Sequence, residues 1–327
     1  MGKPKTINGL MKHLRNSGIS IKNSKQKRQL INQGYYHGYK GYRFYKDSNH
    51  QLPITNYDQI NQTIIYDSKL KNLLYGKIMF IETALKNICL DVIINEIKSD
   101  DLQDMYKLGC QSYRNCPTNF SQKQKETAQS NFLKLQSMIH SNITKAYSKN
   151  NKKITHFFNN STYSNIPLWS IFEILTMGDF GFLLSNLTYS MRDKISKSIG
   201  VRLSTDTNRE LIYKYVYTLK DLRNAIAHND VVYDARFKKI DPSSAMKQCL
   251  VQEFNLQYVN FKDIIDYVAL ILYFLKLLSV SKSEQRNFIK DFVDITEQYI
   301  SMVGTTISNI TLNNNWKIRI NIIKNYI

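Results

Sequence analysis

Apolar residues recur at steps of three and four positions over a long stretch in the first third of the chain. From Asp58 onwards the series runs through Leu70, Leu73, Leu74, Ile78, Ile81, Leu85, Ile88 and Val92. This spacing predicts a long helix with one apolar face. Glycine (12) and proline (5) are scarce among the 327 residues, whereas β-sandwiches and barrels need many tight turns. The sequence therefore predicts an all-α protein with few or no strands.

Periodicity and helix-ending residues predict the remaining helices. They are expected at residues 7–17, 24–32, 121–148, 168–177, 180–187, 191–199, from about 205 to His228, and at 262–280 and 284–303. The expected turns, starts, stops and caps are Gly18, Ser24, Pro167, Gly178, and Thr205 or Asp206. The stretch 148–165 is rich in Lys, Asn, Ser and Thr, which is typical of a loop.

Composition divides the chain into three parts. Residues 1–66 are basic and rich in Gly and Tyr, and 67–235 form the helical core with a polar insert near 100–165. Residues 236–327 contain further apolar-periodic helices. A chain of this length is expected to fold as one large or two smaller domains.

The net charge of +19 points to a polyanionic partner. The four cysteines form neither a disulfide framework nor a zinc signature, which favours a reducing, cytoplasmic location. We expect no signal peptide after the basic start and no membrane span, because the apolar stretch 268–278 is short and contains Lys276. Nucleotide-binding glycine motifs, G-x-S-x-G and metal-ligand spacing are lacking, so no cofactor and no metal are expected.

The segment from Asp221 to Asp230 is the best chemical candidate. It contains Arg223, Asn224 and His228, an Arg-x4-His pattern that arises by chance at roughly 0.2 per chain of this composition. One interpretation is a helix C-terminus, where a histidine interacts favourably with the dipole. The other is RNA cleavage, with His228 as acid and base, Arg223 as the cation for the transition state and Asn224 as a positioning residue. Five residues correspond to about 140° around a helix. The side chains of Arg223 and His228 can therefore meet only if the helix ends near His228, or if two chains combine their motifs.

Four blocks resemble the Abi-like (AbiD/AbiF) abortive-infection proteins of the HEPN superfamily of ribonucleases. They are LINQGYYHGYKGYRFYK (30–46), YDSKLKNLLYGKIMFIETALKN (66–87), IPLWSIFEILTMGDFGFLLSNL (166–187) and LRNAIAHNDVVYDARF (222–237), and they occur in the family's order. His37 stands where the family often has Arg, and Asn229 where a second His is common. Neither departure touches the three candidate catalytic residues.

The resemblance implies a HEPN-type helical bundle with a small basic N-terminal helical region and additional C-terminal helices. It further implies a homodimer, metal-independent endoribonuclease chemistry and a small non-coding RNA partner. The expected role is that of an antiphage toxin. Two alternatives stay open: a catalytically silent RNA-binding scaffold whose motif grips its own small RNA, and a helical module that binds protein only. The net charge of +19 disfavours the module that binds protein only.

Two further sets of residues have open assignments. The aromatic and basic block can bind RNA by stacking and phosphate contacts, or pack as an aromatic cluster; its candidates are Tyr35, Tyr36, His37, Tyr39, Lys40, Tyr42, Arg43 and Lys46. Glu82 and Glu173 lie among apolar residues of predicted core helices. Either one can support Arg223 by pairing with it, or lie on a solvated face.

Overall fold

The computed structural model of the chain describes residues 6–159, 165–313 and 315–327. Within these ranges the chain is helical and has no β-strand, because its β-bridges are isolated pairs. The predicted all-α class is thus confirmed. The basic residues 1–5, on which the expectation of no signal peptide rests, lie outside the described residues. Among the described helices, none combines the length and apolar character needed to cross a bilayer.

The α-helices of the described residues are, in chain order, α1 Ile7–Asn16, α2 Ser24–Tyr35, α3 Tyr57–Ile97, α4 Leu102–Asp104, α5 Gln122–Ser148, α6 Lys152–Asn159, α7 Leu168–Ile174, α8 Met177–Asn186, α9 Tyr189–Ile199, α10 Leu211–Ala227, α11 Ser244–Phe254, α12 Ile264–Leu277, α13 Lys282–Val303, α14 Thr305–Thr311 and α15 Trp316–Asn325. Two π-helical turns, Tyr36–Lys40 and Met105–Gly109, follow α2 and α4. The long α3 confirms the helix that the apolar periodicity predicts from Asp58 onwards.

The chain forms two compact units. Unit 1 contains Met1–Ile78, Asp221–Asp241 and Leu250–Ile327, and unit 2 contains Met79–Lys220 and Pro242–Cys249. The first half of α3 and the last turns of α10 thus belong to unit 1. Because unit 1 combines segments that are far apart in the sequence, its structure depends on contacts that no local pattern reveals.

The core of unit 1 is built around α12. Every residue from Ile264 to Leu275 is buried, as expected of a helix that is apolar on nearly all sides. The C-terminal helices also pack on α3: the rings of Tyr66 and Tyr299 stack with centroids 4.3 Å apart. The Tyr66 hydroxyl lies 3.4 Å from that of Thr296. The last part of the chain is therefore integral to this core.

Unit 2 brings α5, α7 and α8 together beside the second half of α3. Lys86 pairs with Glu82 at 3.0 Å and donates to the Leu175 carbonyl at 2.6 Å, which links α3 to the end of α7. A Cβ at Gly181 would lie 3.0 Å from the Tyr217 ring. A side chain at this position would crowd the Tyr217 ring, so glycine favours the close approach of α8 to α10.

Several predicted ends are confirmed. Gly18 turns the chain after α1 with φ +80°, and Ser121 caps α5 in a capping box with Gln124. Helix α10 begins at Leu211, later than the start predicted near residue 205, but Asp206 still caps it by accepting from the backbone N–H groups of Glu210 (2.6 Å) and Leu211 (3.1 Å).

The predicted helix 168–177 with a stop at Gly178 is wrong. The helix ends at Ile174, Leu175 is extended, and Thr176 begins a new capping box with Asp179. Gly178 therefore lies inside α8, because the box outweighs the stop signal of a single glycine.

The loop predicted at 148–165 and the cap at Ser24 also need correction. Residues 152–159 form α6, which buries Ile154 and Phe157 although most of its neighbouring residues are polar. Residues 160–164 lie outside the described residues. The cap of α2 is Asn23, whose side chain accepts from the Gln26 N–H at 2.8 Å.

A buried ion pair inside unit 1 gives a first testable consequence. Arg319 of α15 donates to Asp266 of α12, and both side chains are almost fully buried. Replacing Arg319 by methionine leaves a buried carboxylate without its counterion. We expect a loss of about 3–5 kcal/mol in the free energy of unfolding, measured by urea denaturation with circular dichroism.

Lys317→Met is the matched control. Lys317 lies two residues away and pairs with Glu297 only at 3.9 Å on the surface. Its loss is expected to stay within about 0.5 kcal/mol. Equal losses in the two variants would contradict a structural role for the Arg319–Asp266 pair.

Candidate functional site

Helix α10 ends directly at the candidate motif. The N–H of His228 donates to the Asn224 carbonyl (2.9 Å), that of Asn229 to Ile226 (3.1 Å) and that of Asp230 to Ala225 (2.8 Å). Asn229 has φ +56°, so the helix closes with a left-handed residue in a Schellman-type arrangement. His228 is consequently the last residue of the helical path, and its side chain is exposed.

Arg223 and Asn224 interact directly. Arg223 Nη1 donates to Asn224 Oδ1 at 3.0 Å, and both side chains are half-buried. Asn224 and His228 are four residues apart and share a face of the helix. The Asn224 carboxamide therefore draws the guanidinium of Arg223 towards the face that carries His228. All three candidate catalytic residues thus lie in the last turns of α10, with the Arg223 side chain bonded to Asn224 and the His228 side chain exposed.

A buried carboxylate anchors the segment that follows His228. Asp67 of α3 has no exposed surface, and its Oδ1 accepts from the N–H groups of Val232 and Tyr233, both at 2.8 Å. Its Oδ2 accepts from the Tyr42 hydroxyl and pairs with Lys71, again both at 2.8 Å. Burial and the Asp67 charge raise the pKa of Tyr42, which keeps its hydroxyl protonated as a donor.

Lys71 extends this network to the helix end. Its Nζ pairs with Asp67 and also donates to Asn229 Oδ1 at 2.8 Å. The side chain next to His228 is therefore held by a buried lysine. Asn also tolerates the left-handed conformation better than most residues, which explains its occurrence at this position.

A second ionic cluster clamps the N-terminal block onto the same segment. Arg236 pairs with Asp234 and donates to the carbonyls of Gly41 (2.9 Å) and Phe44 (2.7 Å). The N–H of Lys46 donates to Asp234 at 2.6 Å. Burial alone would lower the pKa of Arg236, but the Asp234 carboxylate outweighs burial and raises it. The residues after His228 thus lie between α3 and the N-terminal block.

Sequence reasoning did not single out Asp67, Lys71, Asp234 or Arg236. A signal was present: Asp67 and Lys71 are four residues apart and interrupt an otherwise apolar helix face. Such a pair is the pattern of a buried, partnered charge.

The predicted RNA-binding block divides into packed and accessible residues. Tyr39 and Tyr42 are 0% and 2% exposed, so their rings pack inside unit 1 and offer no face to a base, in agreement with the packing alternative. Tyr36 is 54% exposed and Lys40 is exposed as well. The half-buried members are Tyr35, His37, Arg43 and Lys46. Lys46 pairs with Asp263 at 3.4 Å.

The two candidate supporting glutamates lie in different surroundings. Glu82 is buried and pairs with Lys86, which excludes a solvated face for it. Glu173 pairs with Lys153, and about half of its side chain is exposed. The pairing of either glutamate with Arg223 stays a prediction. Across the described ranges, no group of three or more His, Cys, Asp or Glu side chains is arranged to hold a metal ion.

Comparison with known protein families shows which family the chain belongs to. The family model described as Abi-like protein matches residues 28–234, which is more than half of the chain. The chain belongs to the Abi-like protein family. The match begins in α2 and ends at Asp234 of the clamp, so it includes the Asp67 network and the α10 motif of this Abi-like protein. No curated protein and no solved structure gives a significant match. The family supports a role in abortive infection.

The Asp67–Lys71 pair is expected to be energetically coupled. Asp67→Ala leaves a buried lysine, two backbone N–H groups and a tyrosine hydroxyl without their acceptor, and we expect a loss of about 3–5 kcal/mol. Lys71→Met leaves Asp67 with three donors, so a smaller loss of roughly 1–3 kcal/mol is expected. The double variant should be at least about 1 kcal/mol more stable than the sum of the single losses predicts. Urea denaturation of the four proteins measures this coupling, and additive losses would show that the pair is not a unit.

Proposed function

We propose that this Abi-like protein acts in antiphage defence as a HEPN-type RNA-binding protein that cleaves RNA without a metal ion. The arrangement at the end of α10 carries the proposal: Arg223 is bonded to Asn224, and the exposed His228 follows four residues later on the Asn224 side of the helix. The Asp67 and Arg236 networks support it, since they hold the segment after His228 in place.

The proposed reaction is transfer of a phosphate within the RNA strand. The 2′-oxygen attacks the adjacent phosphorus, the P–O2′ bond forms and the P–O5′ bond breaks. His228 accepts the proton of the 2′-hydroxyl, and a protonated imidazole delivers a proton to the 5′-oxygen. Arg223 stabilises the charge that builds on the phosphorane oxygens, and Asn224 positions its guanidinium. The products are a 2′,3′-cyclic phosphate and a 5′-hydroxyl.

The site is proposed to combine two protomers. His228 still donates its N–H to Asn224, so it follows the helical path and lies about 140° from Arg223 around the axis. A single helix end aligns the two side chains only through the Asn224 contact. Two copies of the motif, related by a two-fold axis, would supply one imidazole as base and another as acid. Mass photometry of the purified protein tests this homodimer.

A small non-coding RNA is the proposed partner. The net charge of +19 supports an RNA partner, since lysine and arginine contacts with phosphates dominate the affinity for nucleic acids. Cleavage of host or phage RNA would make the protein toxic to an infected cell, as abortive infection requires.

Two substitutions test the chemistry. His228→Ala is expected to lower the single-turnover cleavage rate by about 10²–10⁴ because it removes the acid and base. Arg223→Ala should lower it by about 10²–10³ through the loss of transition-state stabilisation. The assay follows a labelled RNA in EDTA, and sequencing of the ends identifies the 2′,3′-cyclic phosphate.

His50→Ala and Arg286→Ala are matched controls, because both residues are exposed and lie outside the motif. Their rates should equal that of the wild type. The proposal is wrong if the His228 and Arg223 variants cleave RNA and restrict phage as the wild type does. Stable binding of intact RNA by both wild type and His228→Ala would instead establish the silent scaffold.

A further inference from the structure

The basic residues of the chain are distributed unevenly. The first 46 residues contain eleven of the 45 Lys and Arg residues and none of the 26 Asp and Glu residues, and so contribute +11 of the net +19. The first acidic residue is Asp47. A stretch of this length without a carboxylate concentrates positive potential on whatever surface it forms.

Six of these residues are basic side chains exposed on α1, on α2 and in the turns beside the two helices. Lys12 and Arg15 are three positions apart on α1, and Lys25 and Arg28 are three apart on α2, so each pair shares one side of its helix. We define the basic face as the exposed residues Lys12, Arg15, Lys22, Lys25, Arg28 and Lys40. Within the described part of the chain, none of the six has a carboxylate at ion-pair distance, and their charges are therefore available to an external anion.

The two helices are held side by side by aromatic contacts. The His13 ring of α1 lies 6.2 Å from the Tyr35 ring at the end of α2. It also lies 6.5 Å from the Tyr39 ring in the following π turn. The basic face is therefore a folded surface of unit 1.

An extended polyanion fits this face better than a lipid surface does. The apolar sides of α1 and α2 pack inside the protein, because Met11, Leu14 and Leu30 are buried. An amphipathic helix inserts into a bilayer through an exposed apolar side. On α2 the exposed aliphatic residue Ile31 is too small a surface for such insertion. The exposed ring of Tyr36 follows Arg28 and precedes Lys40, where it can stack on an unpaired base.

The basic face is also tied to the candidate site. Immediately after Lys40, Gly41 and Phe44 accept hydrogen bonds from Arg236, and Tyr42 donates to Asp67. These are the contacts that hold the segment after His228. A strand bound on the basic face is therefore held at a constant place relative to the end of α10.

We propose that the basic face binds the phosphate backbone of single-stranded RNA and delivers the strand to the Arg223–His228 site. The choice of RNA as the polyanion rests on the proposed function. Binding itself needs neither His228 nor cleavage.

The experiment measures the salt dependence of binding. The full chain with His228→Ala is compared with the same protein carrying K12Q, K22Q, K25Q and R28Q in addition. The probe is a fluorescent 30-nucleotide RNA of mixed sequence, titrated by anisotropy from 50 to 200 mM KCl. Each lost phosphate contact should lower the slope of log K against log salt by about 0.7. Four contacts predict a slope lower by roughly 2–3 and an affinity about a hundredfold weaker at 0.1 M salt.

Matched variants separate the basic face from net charge and from misfolding. K123Q/K134Q/K145Q/K149Q removes four exposed charges, three from α5 and one from its C-cap, and should change affinity less than threefold with an unchanged slope. The charge-conserving variant K12R/K22R/K25R/R28K should bind like the parent. Thermal melts followed by circular dichroism verify that all variants are folded.

The outcomes are distinct. An unchanged slope in the basic-face variant, or an equal loss in the α5 variant, overturns the proposal. It is also overturned if the basic-face substitutions abolish binding to vesicles with 30% phosphatidylserine while RNA binding persists. If the wild type never cleaves RNA but the basic face accounts for binding, the surface stands and the proposed chemistry fails. If cleavage requires His228 but the basic-face variant binds normally, the chemistry stands and the surface fails.

Discussion

The buried carboxylate of Asp67 is the interaction on which the site of this protein depends. It accepts from the backbone of Val232 and Tyr233, from the Tyr42 hydroxyl and from Lys71, and so joins three segments of the chain in one place. A charge without exposed surface is tolerated only when its hydrogen-bonding capacity is used. The N-terminal block, the first half of α3 and the residues after α10 must therefore come together for unit 1 to fold.

This requirement carries over to the candidate chemistry. Lys71 bonds to both Asp67 and Asn229, and Asn229 in its left-handed conformation ends α10 directly after His228. The backbone at His228 is thus held by the helix on one side and by a buried ion pair on the other. Arg236 adds a second clamp, which ties the same segment to the N-terminal block and its exposed basic residues. Positioning of this kind is what a site needs when its donors must meet a phosphate at a defined distance.

Sequence reasoning succeeded where structure depends on neighbouring residues and failed where two local signals compete. The long helix α3 follows from apolar spacing, and the turn at Gly18 follows from a single glycine next to a helix end. Gly178 was misread because the capping box of Thr176 and Asp179 outweighs it. Helix α6 was missed because its buried Ile154 and Phe157 are surrounded by polar residues. The candidate residues Arg223, Asn224 and His228 were visible as a motif, whereas the support of Lys71 was not.

The sequence by itself determined the all-α class, the excess of positive charge and the motif at the end of α10, because periodicity, composition and short spacings are local properties. Only the tertiary structure decided that Tyr39 and Tyr42 are packed while Tyr36 is exposed. It alone also decided that Asp67 holds the segment after His228. The hydrogen bond from Val232 to Asp67 joins residues 165 positions apart. The partners of a buried charge depend on which distant segments meet, and no local pattern in the sequence specifies that meeting.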